Sequence, residues 1–300
     1  MPAAGRFAPS PTGPLHLGSL TTALASWLDA RANGQRWYVR MENLDSPREE
    51  NGASEHILHQ LRCHGLLWDD WSDGTTHPNG VLYQHIRQEA YRTALIGLIA
   101  TGKAYPCTCS RKRLQAALES GVTRYNPDGE ILYPGYCRPN KLQALSIAAT
   151  EDHFAAYSET GVAWRFRNPN GDDFVLKRAD GFWAYNFAVV LDDDFQGITR
   201  IVRGDDLFHA APRHAALRAC LGLQDPTLLH VPVVRNEGGE KLSKQTQAPP
   251  LRVDNPDSIR MQLECAWSHL ELTMPTGWIN RVRPMWHRQY RALFNRIAHH

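Results

Sequence analysis

A turn containing Pro9, Pro11, Gly13 and Pro14 runs directly into a helical period, and that junction narrows the possible folds more than any other feature of the chain. Leu20, Ala23, Leu24, Trp27 and Leu28 recur at the spacing of one helix face, and Gly34 stands where such a helix would stop. Beyond it, Trp37, Val39 and Met41 alternate with Tyr38, Arg40 and Glu42, which is the period of a strand. Loop, helix and strand in that order open an α/β unit with a parallel sheet. Ligands of such sheets sit beyond the carboxyl ends of the strands, so the first loop and Glu42 are expected at one crevice.

His16 and Gly18 fall at the N-terminus of this predicted helix. Unpaired backbone N–H groups and a partial positive charge at that end suit the phosphates of a nucleotide. Gly18 has no Cβ to keep a nucleotide off the backbone, and His16 can donate to a phosphate oxygen. Three prolines and a glycine would equally make a plain rigid entry loop. A second motif far down the chain favours the nucleotide: Glu240-Lys241-Leu242-Ser243-Lys244-Gln245 follows the apolar run Leu228 to Val234 and a hairpin-like break at Gly238-Gly239.

Taken together, His16-Leu17-Gly18-Ser19 and Lys241-Leu242-Ser243-Lys244-Gln245 resemble the paired signature of class I aminoacyl-tRNA synthetases. Arg6-Phe7-Ala8-Pro9-Ser10-Pro11-Thr12-Gly13, Arg40 to Asp45 and Val202 to Leu207 narrow the resemblance to the glutamyl branch, in the same order along the chain. The match extends from the N-terminus to about Gln245. It implies an α/β fold: a Rossmann-like nucleotide-binding core, an inserted α+β zinc-bearing subdomain and a short helical C-terminal region. The expected boundaries are 1–102 and 182–247 for the two halves of the core, 103–181 for the insertion and 248–300 for a helical, stem-contact-like region, with no anticodon-binding domain.

Composition sets outer limits. Three hundred residues with 42% hydrophobic content allow one large domain or two modest ones with a real core. No apolar run approaches a membrane span and the N-terminus lacks a charged-then-apolar signal, so a cytoplasmic protein with no membrane partner is expected. A net charge of +2 is too mild to mark a nucleic-acid binder globally, and any RNA contact must come from a local patch. Arg111-Lys112-Arg113 and the five arginines from Arg281 onward are candidates, each equally readable as a solvated face.

Six cysteines at irregular spacing do not make a secreted disulfide framework. Cys107, Cys109 and Cys137 come from two short segments across a Gly- and Pro-containing loop, which suits a tetrahedral structural zinc site short of one ligand. The shorter relatives in the glutamyl branch place a tyrosine four positions before the last cysteine, which implies Tyr133 here. Tyr136 and His153 remain alternatives, and so does a set of free cysteines whose metal has been lost.

The remaining periodicity predicts helices over Ser54 to His64, Arg87 to Thr101, Pro212 to Leu221 and Ser258 to Leu270. Strands are expected at Trp164 to Arg167, Asp173 to Arg178 and Gly197 to Arg203, with Asp192-Asp193-Asp194 as a charged turn. A final apolar stripe joins Trp286, Tyr290, Phe294 and Ile297.

The resemblance also implies roles. Arg6, Arg203 and Tyr185 would hold the side-chain carboxylate of L-glutamate, Glu42 its ammonium, and the segment Phe7, Ala8, Pro9 and Ser10 would complete the pocket. His16, Gly18, Ser19 and Lys244 would bind ATP, with Lys241 assisting and Mg2+ on the departing pyrophosphate. The short remainder after Gln245 and the Cys-x-Cys…Tyr-x₃-Cys pattern are similar to the glutamyl-queuosine tRNA(Asp) synthetases, which activate glutamate without tRNA and pass it to the queuosine base of the tRNA(Asp) anticodon loop. A truncated glutamyl synthetase that charges a 3′ end, or a silent glutamate-binding paralogue, are the alternatives.

Overall fold

The computed structural model describes residues 3–75, 77–126, 129–141, 146–158, 161–236, 238–242 and 248–297. In chain order the first elements are β1 (Ala4–Phe7), α1 (Leu17–Ala32), β2 (Arg36–Met41), α2 (Ala53–Cys63), β3 (Leu82–Tyr83) and α3 (Gln88–Ala100). They are followed by β4 (Ala104–Cys107), α4 (Arg111–Glu119), α5 (Ile147–Ser158), β5 (Ala163–Phe166), β6 (Val175–Lys177) and α6 (Tyr185–Phe195). The last are β7 (Ile198–Gly204), α7 (Ala211–Leu221), β8 (Thr227–Val231), α8 (Pro256–Thr273) and α9 (Thr276–Ile297).

Two compact units form. The first comprises Met1–Tyr83, Gln196–Asp206 and Pro226–His300. Its five-stranded sheet runs β3-β2-β1-β7-β8, and every neighbouring pair is parallel. This is the parallel α/β core expected from the sequence. The strand alternation in β2 does not separate a wet face from a dry one: from Trp37 to Met41 every residue is buried. That is the pattern of a central parallel strand covered on both sides.

Helix α1 lies against the sheet with Leu20, Leu24 and Leu28 fully buried. Its chain leaves through Asn33 into Gly34, at φ 65°, where a Cβ would be strained. The C-terminal helices belong to the same core: Trp267 of α8 stacks on Trp286 of α9 at 5.1 Å, and the Trp286, Tyr290 and Phe294 rings continue the stripe. Asp29 of α1, buried at the helix's far end, accepts from Arg200 Nε at 2.6 Å, Trp278 Nε1 at 3.0 Å and Arg281 at 3.2 Å.

The second unit comprises Gln84–Phe195 and Leu207–Asp225 around the antiparallel sheet β4-β5-β6. It is larger than the 103–181 insertion read from the sequence, because α3, α6 and α7 pack in it. The Asp192-Asp193-Asp194 turn is corrected: these residues lie inside α6. The charges are tolerated because they are answered. Asp192 accepts from Gln84 Nε2 at 2.8 Å, Tyr91 Oη at 2.6 Å and Arg87 Nε at 3.1 Å. Asp193 faces Arg218 at 3.6 Å.

Candidate active site

The loop after β1 is fixed at both ends by backbone bonds. Glu42 N–H, just past β2, donates to the Pro9 carbonyl at 2.9 Å, and Glu50 N–H donates to Pro11 at 3.0 Å. The first bond ties the segment Phe7 to Ser10 to the end of the neighbouring strand. Arg6 on β1, Glu42 after β2 and Arg203 near the end of β7 therefore stand at the carboxyl edge of one sheet. Both arginines are 4% exposed. Ser10 is exposed at the turn.

His16 is the N-cap of α1, with extended φ/ψ, and its Nδ1 accepts from the Ser19 N–H at 3.3 Å. A nitrogen that accepts carries no proton, so in the neutral ring the donor is Nε2. The second motif comes to the same helix end. His16 forms an antiparallel bridge with Pro250, and Leu251 N–H donates to the Leu15 carbonyl at 2.7 Å. A Cβ on Gly18 would stand 3.1 and 3.2 Å from the His16 ring and 3.5 Å from the Leu242 carbonyl. A side chain at position 18 would thus press on the His16 ring, which would have to give by a few tenths of an ångström, while the Leu242 carbonyl stands at ordinary contact distance.

The stem of that loop is a hairpin: Arg235 bridges Lys241, Leu242 N–H donates to Val234 at 2.9 Å, and Gly239 takes φ 78°. Lys241 Nζ is bonded to Asp206. Ser243, Lys244 and Gln245 lie outside the described residues.

Three partners went unread in the sequence. Arg40, fully buried, donates through its two terminal nitrogens to Glu42 Oε1 at 3.1 Å and Gln196 Oε1 at 2.9 Å. The strand alternation placed Arg40 and Glu42 on one face but gave no sign that they pair. Asp206 follows the Arg203-Gly204 motif as a charged pair with Asp205, and nothing local marks it as the partner of Lys241. His230 meets Arg203 only through strand register.

In the second unit, Tyr185 is the first residue of α6, 37% exposed, with its ring edge-on to His214 at 6.0 Å. The cysteine cluster lies there too. Cys107, Cys109 and Cys137 place their sulfurs within 4.8 Å of one another. Cys109 and Cys137 are 3.6 Å apart, and Tyr133 Oη is 3.5 Å from Cys107 and 3.7 Å from Cys109. A tetrahedron with bonds of about 2.3 Å has edges near 3.8 Å, so this donor set fits one zinc-sized cation.

The surroundings hold those donors in place. Arg138, next to Cys137, donates to Asp173 at 2.8 Å, and Arg165 donates to Cys107 Sγ at 3.3 Å. Burial raises the Cys109 thiol to about 11. Burial also opposes ionisation of Cys137, but hydrogen bonds from Tyr133, the Thr108 backbone and Cys109 prevail and bring it down to about 7. Burial and the bond to Cys107 push the Tyr133 phenol far up, so only a bound cation would make it an anion. Of the rival donors, His153 is not in the cluster and is edge-on to Tyr157 and Trp164, and the Tyr136 ring lies under Arg113.

The model of tRNA synthetases class I (E and Q), catalytic domain, matches residues 3–263. A protein of Thiobacillus denitrificans named glutamyl-Q tRNA(Asp) synthetase is 47% identical over 285 residues, covering 88% of this chain and 85% of its own. One of the same name from Neisseria meningitidis serogroup C is 45% identical over 262 residues, 86% of each chain. The crystal structure of a glutamate-tRNA synthetase from Elizabethkingia anophelis matches with a TM-score of 0.64 at 28% identity, over 82% of this chain and 53% of that one. The chain therefore spans about half the length of that solved synthetase. With the parallel sheet, the capped helix and the hairpin meeting as they do, the chain belongs to the class I glutamyl and glutaminyl tRNA synthetase family, as a ligase of the branch that the glutamyl-Q tRNA(Asp) synthetases form.

Proposed function

We propose that this enzyme activates L-glutamate with ATP to glutamyl-adenylate without tRNA, and then transfers the glutamyl group to the queuosine base at the wobble position of tRNA(Asp). The observation that carries the reading is the meeting of His16, Gly18 and Leu242 at one helix end, on the sheet edge that also holds Arg6, Glu42 and Arg203. Relatives of that name at 45–47% identity support the choice of acceptor.

On this reading the substrate's charges select the pocket. Arg6 and Arg203 take the γ-carboxylate, and planar forked donors reject the amide of glutamine. Glu42 takes the ammonium, its carboxylate aimed by Arg40. The free α-carboxylate attacks the α-phosphate of ATP, and pyrophosphate leaves. His16 Nε2–H and the α1 N-terminus stabilise charge on the phosphates from one side and Lys244 from the other. Lys241, engaged by Asp206, shapes the loop and assists. Magnesium bound with ATP supplies further neutralisation of the departing pyrophosphate.

Zinc held by Cys107, Cys109, Cys137 and Tyr133 would cross-link two segments of the second unit, the metal-bearing part being the 103–181 insertion. The catalytic core is divided in sequence into halves 1–102 and 182–247, of which Gln84 to Ala100, Phe182 to Phe195 and Leu207 to Asp225 pack in the second compact unit, and 248–300 is a stem-contacting region. The protein works in the cytoplasm, where queuosine-bearing tRNA(Asp) is met through its anticodon stem-loop.

Glutamate-dependent ATP–pyrophosphate exchange without tRNA, with aspartate and glutamine as controls, tests the proposal. Exchange with glutamate alone is expected, and Lys244→Ala should abolish it while leaving glutamate binding nearly intact. Exchange that needs added tRNA would replace this reading with a charging enzyme, and none under any condition would replace it with a silent paralogue.

A further inference from the structure

Arg203 is met inside the protein by a neutral ring. Its Nε–H donates to Nε2 of His230 at 3.3 Å, and the parallel register of β7 and β8 sets the two residues opposite each other. An imidazole nitrogen accepts only when it carries no proton, so His230 is neutral with its hydrogen on Nδ1. Burial and the neighbouring Arg203 charge hold the His230 pKa below its ordinary 6.5, against the opposite pull of Asp205 and Asp206. The other groups around it are already committed. Asp205 accepts from Val233 N–H at 3.0 Å, Asp206 is bonded to Lys241, and His269 of α8 is bonded to the Pro232 carbonyl at 2.8 Å.

We propose that His230 is a positioning residue for Arg203: it takes the Nε edge of the guanidinium so that the fork of terminal nitrogens is presented to the substrate's γ-carboxylate. The inference rests on the assignment of Arg203 to the glutamate pocket. A guanidinium can grip a carboxylate through its Nε side or through its two terminal nitrogens, and occupying Nε selects the second. A carboxylate at position 230 would orient Arg203 equally well but cancel the charge the substrate needs. A neutral imidazole orients without neutralising. Protonation reverses the effect, because a donor then faces a donor and two positive charges stand side by side.

The test is the glutamate dependence of ATP–pyrophosphate exchange, measured from about pH 7.5 to about pH 5.5, around the ordinary histidine pKa. Wild type should show KM for glutamate rising as pH falls. His230→Leu should raise KM about tenfold at the upper pH with kcat within about twofold, the loss of one hydrogen bond to a charged group. His230→Gln keeps an acceptor and cannot titrate, so its KM should stay near wild type and its acid rise should disappear. The Gln variant decides the matter even if the Leu variant fails to fold. An unchanged KM in His230→Leu, or an undiminished acid rise in His230→Gln, would overturn the role of His230. Arg203→Ala separates the two levels: a raised KM there beside an inert His230→Leu sinks only this inference, whereas an unchanged KM in Arg203→Ala removes the pocket assignment and this inference with it.

Discussion

At Gly18 there is no space for a side chain that does not come from the His16 ring. A Cβ at 3.1 Å from that ring forces the ring to give, and the ring is both the helix cap and the proposed phosphate donor. Gly18→Ala is expected to lower exchange turnover by about tenfold or more, since small misplacements of a positioned group are costly in rate. The urea midpoint should hardly move, which distinguishes a displaced donor from a misfolded loop. A second residue-scale prediction concerns His64, which is buried, with its Nδ1 2.8 Å from the Gln60 carbonyl. Burial holds its pKa below 6.5 in spite of that bond. The unfolded chain therefore takes up a proton at a pH where the folded one does not. Stability should be unaffected above about pH 7.5 and should fall as pH drops through 6.5 toward the lower folded pKa. His64→Asn should flatten that acid slope in urea titrations, and an unaltered slope would assign it to other groups.

Among elements, α9 shows how a helix with a strongly basic outer surface is held in the core. Its inner stripe stacks on α8, and its first turns are tied to α1 and β7 through one carboxylate, Asp29. Asp29→Ala would leave the buried Trp278 N–H without its acceptor and deprive the partly exposed Arg200 guanidinium of its buried partner. Removal of one partner from a buried ionic network costs about 3 to 5 kcal/mol, so the midpoint of urea unfolding should drop by that equivalent. A loss below about 1 kcal/mol, typical of an exposed pair, would mean water replaces the carboxylate freely. The α6 helix follows the same principle: its two buried aspartates are met from other elements, Asp192 by Gln84, Arg87 and Tyr91 and Asp193 by Arg218, while Asp194 is exposed.

The whole molecule is two units with separate sheets, and the sulfur cluster belongs to the second. Free energy of metal binding to sites absent from the unfolded chain is folding free energy. Freshly purified protein should contain about one zinc per chain, the stoichiometry of a four-donor site. Chelation should add an earlier unfolding transition in calorimetry, and Cys137→Ala should reproduce it without chelator. Metal content near zero together with an unchanged trace after chelation would leave the three thiols as ordinary core residues.

Local pattern carried a large part of this protein. The helical period from Leu20, the strand at Trp37 and the order of elements were legible because backbone hydrogen bonding imposes periods that single sequences display. The paired signature and its glutamyl-branch motifs were legible because they consist of residue type and order, and the sheet brings Arg6, Glu42 and Arg203 to one carboxyl edge. The helical state of Asp192 to Asp194 and the extent of the second unit were not, since each depends on what packs against it. Partnership depends on the same thing: Arg40 with Gln196, Asp206 with Lys241, Asp29 with Trp278 and His230 with Arg203 are pairs far apart in sequence, brought together by sheet register and helix packing. The sequence by itself determined which chemistry this chain carries. Only the tertiary structure decided which neighbours aim, neutralise or protonate it, because electrostatic and hydrogen-bond energies are set by distances that no local pattern encodes.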